Sequence, residues 1–317
     1  MAVDIRDVRL SDIDLSDLTF KITTRVDKTD LALSIRAVGL LQPPVLRPVA
    51  EGFSVVCGFR RIHAMILLHQ TEISARVLPE TVSPLVCACM AISDNTGQRH
   101  LNTVEQARAY ALIHRLTPSG ENWQDLARSV GLPDSEAAKN RIMPVAAMPD
   151  VLQSAILENS IALPVALALN ELPPDVRDPL IAFMRPLAAS LSVQREVMEM
   201  ILELSARDRL SVRQVIQLPE MTAILEDADT PVPQKVRKLR DLLKALRYPA
   251  ITRAGKRYAE AMRALNPDPR IQIQPPRDFE AKAYHLTLSL CSRQDLDALW
   301  PDLQKIAAAI ERADWLT

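Results

Sequence analysis

Aromatic residues make up only 4% of this sequence, and it holds just seven glycines and four cysteines. So few aromatics leave the core to aliphatic side chains, which, with abundant Ala, Leu, Arg and Glu, favours a mostly helical protein with few strands. Cys57, Cys87, Cys89 and Cys291 lack paired CxxC spacing and the five histidines form no HExxH, so no zinc site is indicated. No run of about 18 uncharged apolar residues occurs. The start, Met1-Ala2-Val3-Asp4, has no basic region followed by an apolar stretch. The expectation is a cytoplasmic protein, neither exported nor membrane-spanning.

Charge of one sign is also missing from the whole, since the formal net charge is −1. That argues against a protein that coats nucleic acid without specificity. The average hides an asymmetry: residues 235–270 hold eleven basic residues against three acidic ones. A chain of 317 residues is long enough for two or three domains, each with its own core.

Residues 9–80 read as small α/β. A helix is expected over 29–38, closed by Gly39, with strands near 44–47, 54–57 and 73–77. Glu51-Gly52 makes a tight turn between the first two strands, and a helix follows Gly58 at about 60–68. From Thr103 helices take over. Thr103-Val104-Glu105-Gln106 reads as a capping-box start of a helix to about Leu116, stopped by Thr117-Pro118-Ser119-Gly120. Later helices are expected to end at Pro149, Pro164, Pro173-Pro174, Pro186 and Pro219. Val193, Val197, Met200, Ile201 and Leu204 have the spacing of a helix packed on neighbours, a core stripe. The acidic, proline-containing segment 226–233 reads as a linker. Beyond it come helices 235–246 and 252–265, strands 271–274 and 284–290, and a final helix 293–311.

Two stretches carry chemistry on their own terms. In Cys57-Gly58-Phe59-Arg60-Arg61-Ile62-His63-Ala64, a glycine after a strand lets backbone N–H groups approach phosphate oxygens. The following helix start adds its positive dipole end, and the arginines offer bidentate contacts. Taken alone, such a stretch is more often a surface turn with two solvated arginines. The second, Trp123-Gln124-Asp125-Leu126-Ala127-Arg128-Ser129-Val130-Gly131-Leu132, followed by a helix at about 134–143, is a helix-turn-helix candidate. Ala127 and Gly131 give the small-residue spacing for close crossing and a sharp turn. Ser135, Lys139, Asn140 and Arg141 could reach DNA, yet residues 121–141 hold four acidic groups against three basic ones. Sequence-specific contact and a purely structural helix-turn-helix both stay open. Lys235, Arg237, Lys238 and Arg240 could supply sequence-independent phosphate affinity instead.

Three segments, in order, resemble the nucleotide-binding boxes of the ParB/Spo-zero-J family. Gly39-Leu40-Leu41-Gln42-Pro43-Pro44-Val45-Leu46-Arg47-Pro48 is similar to its GLLQP box, and Cys57 to Ala64 to its GERRxxA box. Asp94-Asn95-Thr96-Gly97-Gln98-Arg99-His100-Leu101-Asn102-Thr103-Val104-Glu105-Gln106-Ala107 is similar to its ENxxRxxLxxxEEA box. Three departures stand out: Phe59 replaces the glutamate of GERR, Asp94 replaces Glu, and Gln98 falls on the arginine position with Arg99 one residue late.

The resemblance implies an α+β, mostly helical fold. A ParB/sulfiredoxin-like nucleotide-binding α/β domain would span 1–102 and a helical helix-turn-helix DNA-binding domain 103–225. A linker would follow over 226–234, then a basic α/β C-terminal domain, 235–317, that joins a homodimer. It implies CTP as ligand, held by Gln42, Gly58, Arg60, Arg61 and Asn95, with Mg²⁺ on Asp94 and slow CTP hydrolysis by Asp94 and Asn95. The function implied is a nucleoid-associated, nucleotide-switched DNA clamp in partition or nucleoid organisation. The alternative is a helix-turn-helix regulator that uses the ParB fold only as a scaffold. A ParA-type ATPase partner is not expected, because no basic arm precedes the first box. Sulfiredoxin chemistry is not expected either: Phe59 fills the place of its cysteine. Nor is a nuclease, since no carboxylate cluster stands beside Asp94.

Overall fold

The computed structural model describes residues 4–25, 29–118, 122–279 and 283–311. It is about 61% helical. It divides into two compact units, Met1–Pro173 and Pro174–Thr317.

In the first unit β1 (Asp4–Arg9), β2 (Ile13–Asp14), β3 (Val45–Val49), β4 (Gly52–Cys57) and β5 (Glu72–Val77) form one mixed sheet, ordered β1-β5-β3-β4-β2. The β3–β4 hairpin turns at Glu51-Gly52 as expected, and only glycine fits there. At φ +99°, a Cβ on Gly52 would stand 2.2 Å from the Asp12 carbonyl oxygen. β1 was not expected. Asp4, Arg6, Asp7 and Arg9 mask its pattern, as charges commonly do on an edge strand, and Val8 alone among its residues is buried.

α2 (Phe59–Leu67) packs on this sheet and α1 (Thr29–Val38) packs on α2. Phe59 and Ile62 of α2 join Leu46, Val55, Ile73 and Val77 in the main core. Each such aliphatic side chain contributes about 1.5–3 kcal/mol by leaving water. Ala64, on the other side of α2, meets Ala32 and Ile35 of α1. α3 (Pro84–Thr96) follows the sheet, and α4 (Thr103–Leu116) packs on α3. The capping box of α4 is present, but its cap is Asn102, one residue before the expected Thr103, with Glu105 at the third helical position. The expected stop at Ser119-Gly120 lies outside the described residues. α5 (Trp123–Ser129), α6 (Glu136–Ile142), α7 (Asp150–Leu157) and α8 (Leu163–Asn170) complete the unit.

The second unit opens with α9 (Pro174–Met184), α10 (Leu191–Asp208), α11 (Val212–Ile216), α12 (Pro219–Glu226), α13 (Val232–Arg247) and α14 (Pro249–Leu265). The stripe expected on α10 buries Val197, Met200, Ile201 and Leu204, while Leu239 and Leu243 of α13 are buried on the helix that packs against α10. Then β6 (Ile271–Gln274) pairs antiparallel with β7 (His285–Leu288), and α15 (Arg293–Glu311) closes a small core of Ile271, Leu299 and Ile306.

The prolines correct one expectation. Pro164, Pro174 and Pro219 stand in the first turns of α8, α9 and α12 and so open helices rather than end them. The first turn has no use for the missing N–H, and the fixed φ of proline suits it.

Candidate functional site

The three boxes meet at one cavity of about 330 Å³ in the first unit, within the roughly 300–1,000 Å³ of small-molecule sites. The strand ends and helix starts of the sheet place them there. Gln42 comes from the loop before β3, Gly58, Arg60 and Arg61 from the β4–α2 junction, and Asp94 and Asn95 from the last turn of α3. Ile22, Leu31, Ile35, Val38 and Leu40 are among its apolar lining, and Arg60, Arg61 and Arg99 among its cationic lining. A cavity lined by both kinds of side chain suits a ligand that carries both an apolar ring and negative charge.

Gly58 is required by its geometry. Its φ is +95°, and a Cβ would meet the Pro44 Cβ at 2.8 Å. It carries no side-chain cap, so the start of α2 is left to the cavity. Arg61 ties the boxes together. Its Nη1 donates to the Gln42 and Pro43 carbonyls at 3.0 and 3.2 Å, and its Nη2 to Asp94 Oδ2 at 3.0 Å. The other Asp94 oxygen accepts from Gln98 Nε2 at 3.3 Å. Asn95 donates from Nδ2 to the Ala91 carbonyl and accepts on Oδ1 from Arg99 at 3.4 Å.

Arg99, Glu105, Thr23 and Thr24 escaped the sequence reading. Glu105 is fully buried and receives two N–H groups from the Arg99 guanidinium. It also accepts from the Thr24 N–H at 2.9 Å and the Asn102 N–H at 3.2 Å. Burial pushes its carboxyl up, but Arg99 and those backbone donors outweigh burial and hold it below the ordinary 4.5. This buried pair pins the segment before α1 to the start of α4. The capping-box glutamate and the displaced Arg99 were the available signals; that they pair with each other needs the chain turn between them.

Cys57 lies at the cavity with a thiol pushed up to about 12 by burial and by Asp94, against the opposing pull of Arg61. A thiol so rarely ionised is a poor nucleophile.

The helix-turn-helix has α5 and α6 around Gly131 at φ +75°. Thr96 of α3 hydrogen-bonds through Oγ1 to the Val130 carbonyl at 2.7 Å, so the last turn of the cavity helix touches this turn directly. Asn140 and Arg141 are exposed on α6. Ser135 caps α6, accepting from the Ala138 N–H. Lys139 is only 7% exposed, stacked over Trp123 at 4.2 Å and paired with Glu136 at 2.7 Å. It packs the motif together, and its ammonium is spoken for.

In the second unit much of the basic run is neutralised by neighbouring segments. Arg240 and Lys244 share Glu196, Arg247 pairs with Glu203, Lys238 with Asp227, and Lys235 donates to the Leu225 carbonyl. Arg237 is exposed, as are Arg253, Lys256 and Arg263 on α14.

Among known proteins, the ParB N-terminal domain family matches residues 3–95. The chromosome-partitioning protein Spo0J of Thermus thermophilus is 32% identical over 148 residues, covering 47% of this chain and 52% of that protein. The nucleoid occlusion protein of Geobacillus kaustophilus is 33% identical over 137 residues, covering 42% and 45%. The chain thus spans about half the length of these curated relatives. A C-terminally truncated chromosome-partitioning protein ParB from Caulobacter crescentus, solved with CTP-gamma-S, is 24% identical with a TM-score of 0.27, over 53% of this chain and 93% of that one. That score is too low to transfer a ligand. Residues 3–95 thus match the ParB N-terminal domain, and about half of the chain is similar to chromosome-partitioning and nucleoid occlusion proteins.

Proposed function

We propose that this protein is a CTP-binding, DNA-associated ParB-type clamp, working on the nucleoid in partition or nucleoid organisation. One observation carries the reading. Three separate segments within residues 39–107, each resembling a family nucleotide box, line a single cavity that presents both arginines and apolar side chains. The arginines and the open start of α2 would take the phosphates, and the apolar side chains the base and sugar. The Thr96 contact supports a route from that cavity to the helix-turn-helix, because α3 belongs to both.

DNA would be held by exposed groups of α6, chiefly Asn140 and Arg141, and by cations of the second unit. The homodimer would join through β6, β7 and α15. There Leu286 and Trp300 are 48% and 56% exposed, two apolar side chains left in water.

Calorimetric titration of the full chain with CTP, ATP, GTP and UTP, with and without DNA, tests the reading. CTP should bind in preference to the other three. Absence of CTP binding to folded protein in every condition leaves the helix-turn-helix regulator as the better account.

A further inference from the structure

Family resemblance puts Mg²⁺ on Asp94, and the donors around that residue disagree. A hard divalent cation needs several oxygens turned toward it, and a guanidinium already held on those oxygens repels it. Both Asp94 oxygens are engaged, Oδ2 by the Arg61 guanidinium at 3.0 Å and Oδ1 by the Gln98 amide at 3.3 Å. The neighbouring Asn95 oxygen, the next ligand a cation would seek, faces the Arg99 guanidinium at 3.4 Å. Among the described residues no three His, Cys, Asp or Glu side chains come together to hold a metal.

Asp94 and Asn95, the side chains from which a cation would take oxygens, are therefore each already paired with a guanidinium. Arg61 is anchored by two further carbonyl acceptors, and Arg99 by the buried Glu105, so neither swings away without breaking several charge-assisted bonds. Asp94 also bears a negative charge at a cavity that would receive a triphosphate. Its function in this geometry is to orient Arg61.

We infer that this site binds its nucleotide without a divalent cation, Arg61 and Arg99 supplying the positive charge that a metal would supply and Asp94 acting as the counter-charge that positions Arg61. The inference rests on the nucleotide reading above, and one experiment separates their failures. CTP is titrated calorimetrically into the full-length protein in Mg²⁺ and again in EDTA, for wild type and for Asp94→Asn. The variant keeps the size of the side chain and an oxygen for Arg61 while removing the charge.

Affinity in EDTA should lie within about threefold of that in Mg²⁺, and Asp94→Asn should bind at least as tightly as wild type in both. A loss greater than threefold in EDTA, or a weakening greater than threefold in Asp94→Asn that is confined to the Mg²⁺ buffer with its melting temperature unchanged, puts a divalent cation in the bound state. Either result overturns the inference and leaves CTP binding intact. No CTP binding in either buffer overturns the inference together with the nucleotide reading. Should Asp94→Asn fail to fold, the EDTA comparison on wild-type protein decides alone.

Discussion

Glu105 has no exposed surface and still carries its charge, because Arg99 and backbone N–H groups surround it. Removing one partner of a buried pair strands the other, at about 3–5 kcal/mol. Glu105→Ala should therefore lower the unfolding free energy by roughly that amount, read by urea denaturation at pH 7. The pH dependence follows from the lowered carboxyl. Its contribution is complete above the ordinary value of 4.5 and is lost as pH falls through the lower folded value. The gap between wild type and Glu105→Ala should shrink as the buffer is taken below pH 4.5, and a gap that holds steady there disproves the assignment. Gly58→Ala is a second test at this scale. A side chain at φ +95° pressed against Pro44 should cost about 1–3 kcal/mol and displace the loop that carries Gln42, weakening CTP binding as well. Arg61→Ala removes the donors to Gln42, Pro43 and Asp94 together. It should abolish CTP binding in calorimetry while leaving the fold intact by circular dichroism.

At the scale of elements, α13 and α14 divide a basic run that looked continuous in the sequence. Lys235, Lys238 and Arg240 on α13 are already matched by Leu225, Asp227 and Glu196, whereas Arg253, Lys256 and Arg263 stand exposed along α14. Each cation that neutralises a phosphate adds about 0.9 to the slope of log affinity against log salt. Replacing Arg253, Lys256 and Arg263 by Gln should lower that slope by about 2–3, as measured by fluorescence anisotropy on a non-specific duplex. The same change at Lys235, Arg237, Lys238 and Arg240 should lower it less and should also loosen α13 from α10. If the α13 set has the larger effect on slope, the ion pairs open on DNA and the assignment to α14 is wrong.

For the whole molecule, the C-terminal ββα piece is too small to be indifferent to what covers it. Its core is Ile271, Leu299 and Ile306, while Leu286 and Trp300 lie outside that core with about half their surface in water. Leu286→Asp with Trp300→Asp in the full chain should weaken the proposed homodimer at least tenfold in sedimentation equilibrium. An unchanged dimer would place the interface elsewhere.

Much of this was legible before the fold was. The hairpin, α1, α2, α10 and the C-terminal strands follow from local rules: a glycine where φ turns positive, apolar spacing of two or of three to four, and a capping residue at a helix start. The three boxes were readable as stretches of neighbouring residues that resemble a family's motifs; that they line one cavity was not. What needed the tertiary structure was pairing at a distance. Whether a charge is offered to a ligand or consumed inside the protein depends on which segment lies across from it, and nothing local encodes that. Lys139 stacked on Trp123, Arg240 on Glu196, Arg99 on Glu105 and Arg61 on Asp94 were all decided there. So was the masked edge strand β1, which exists because β5 has an open edge to pair with.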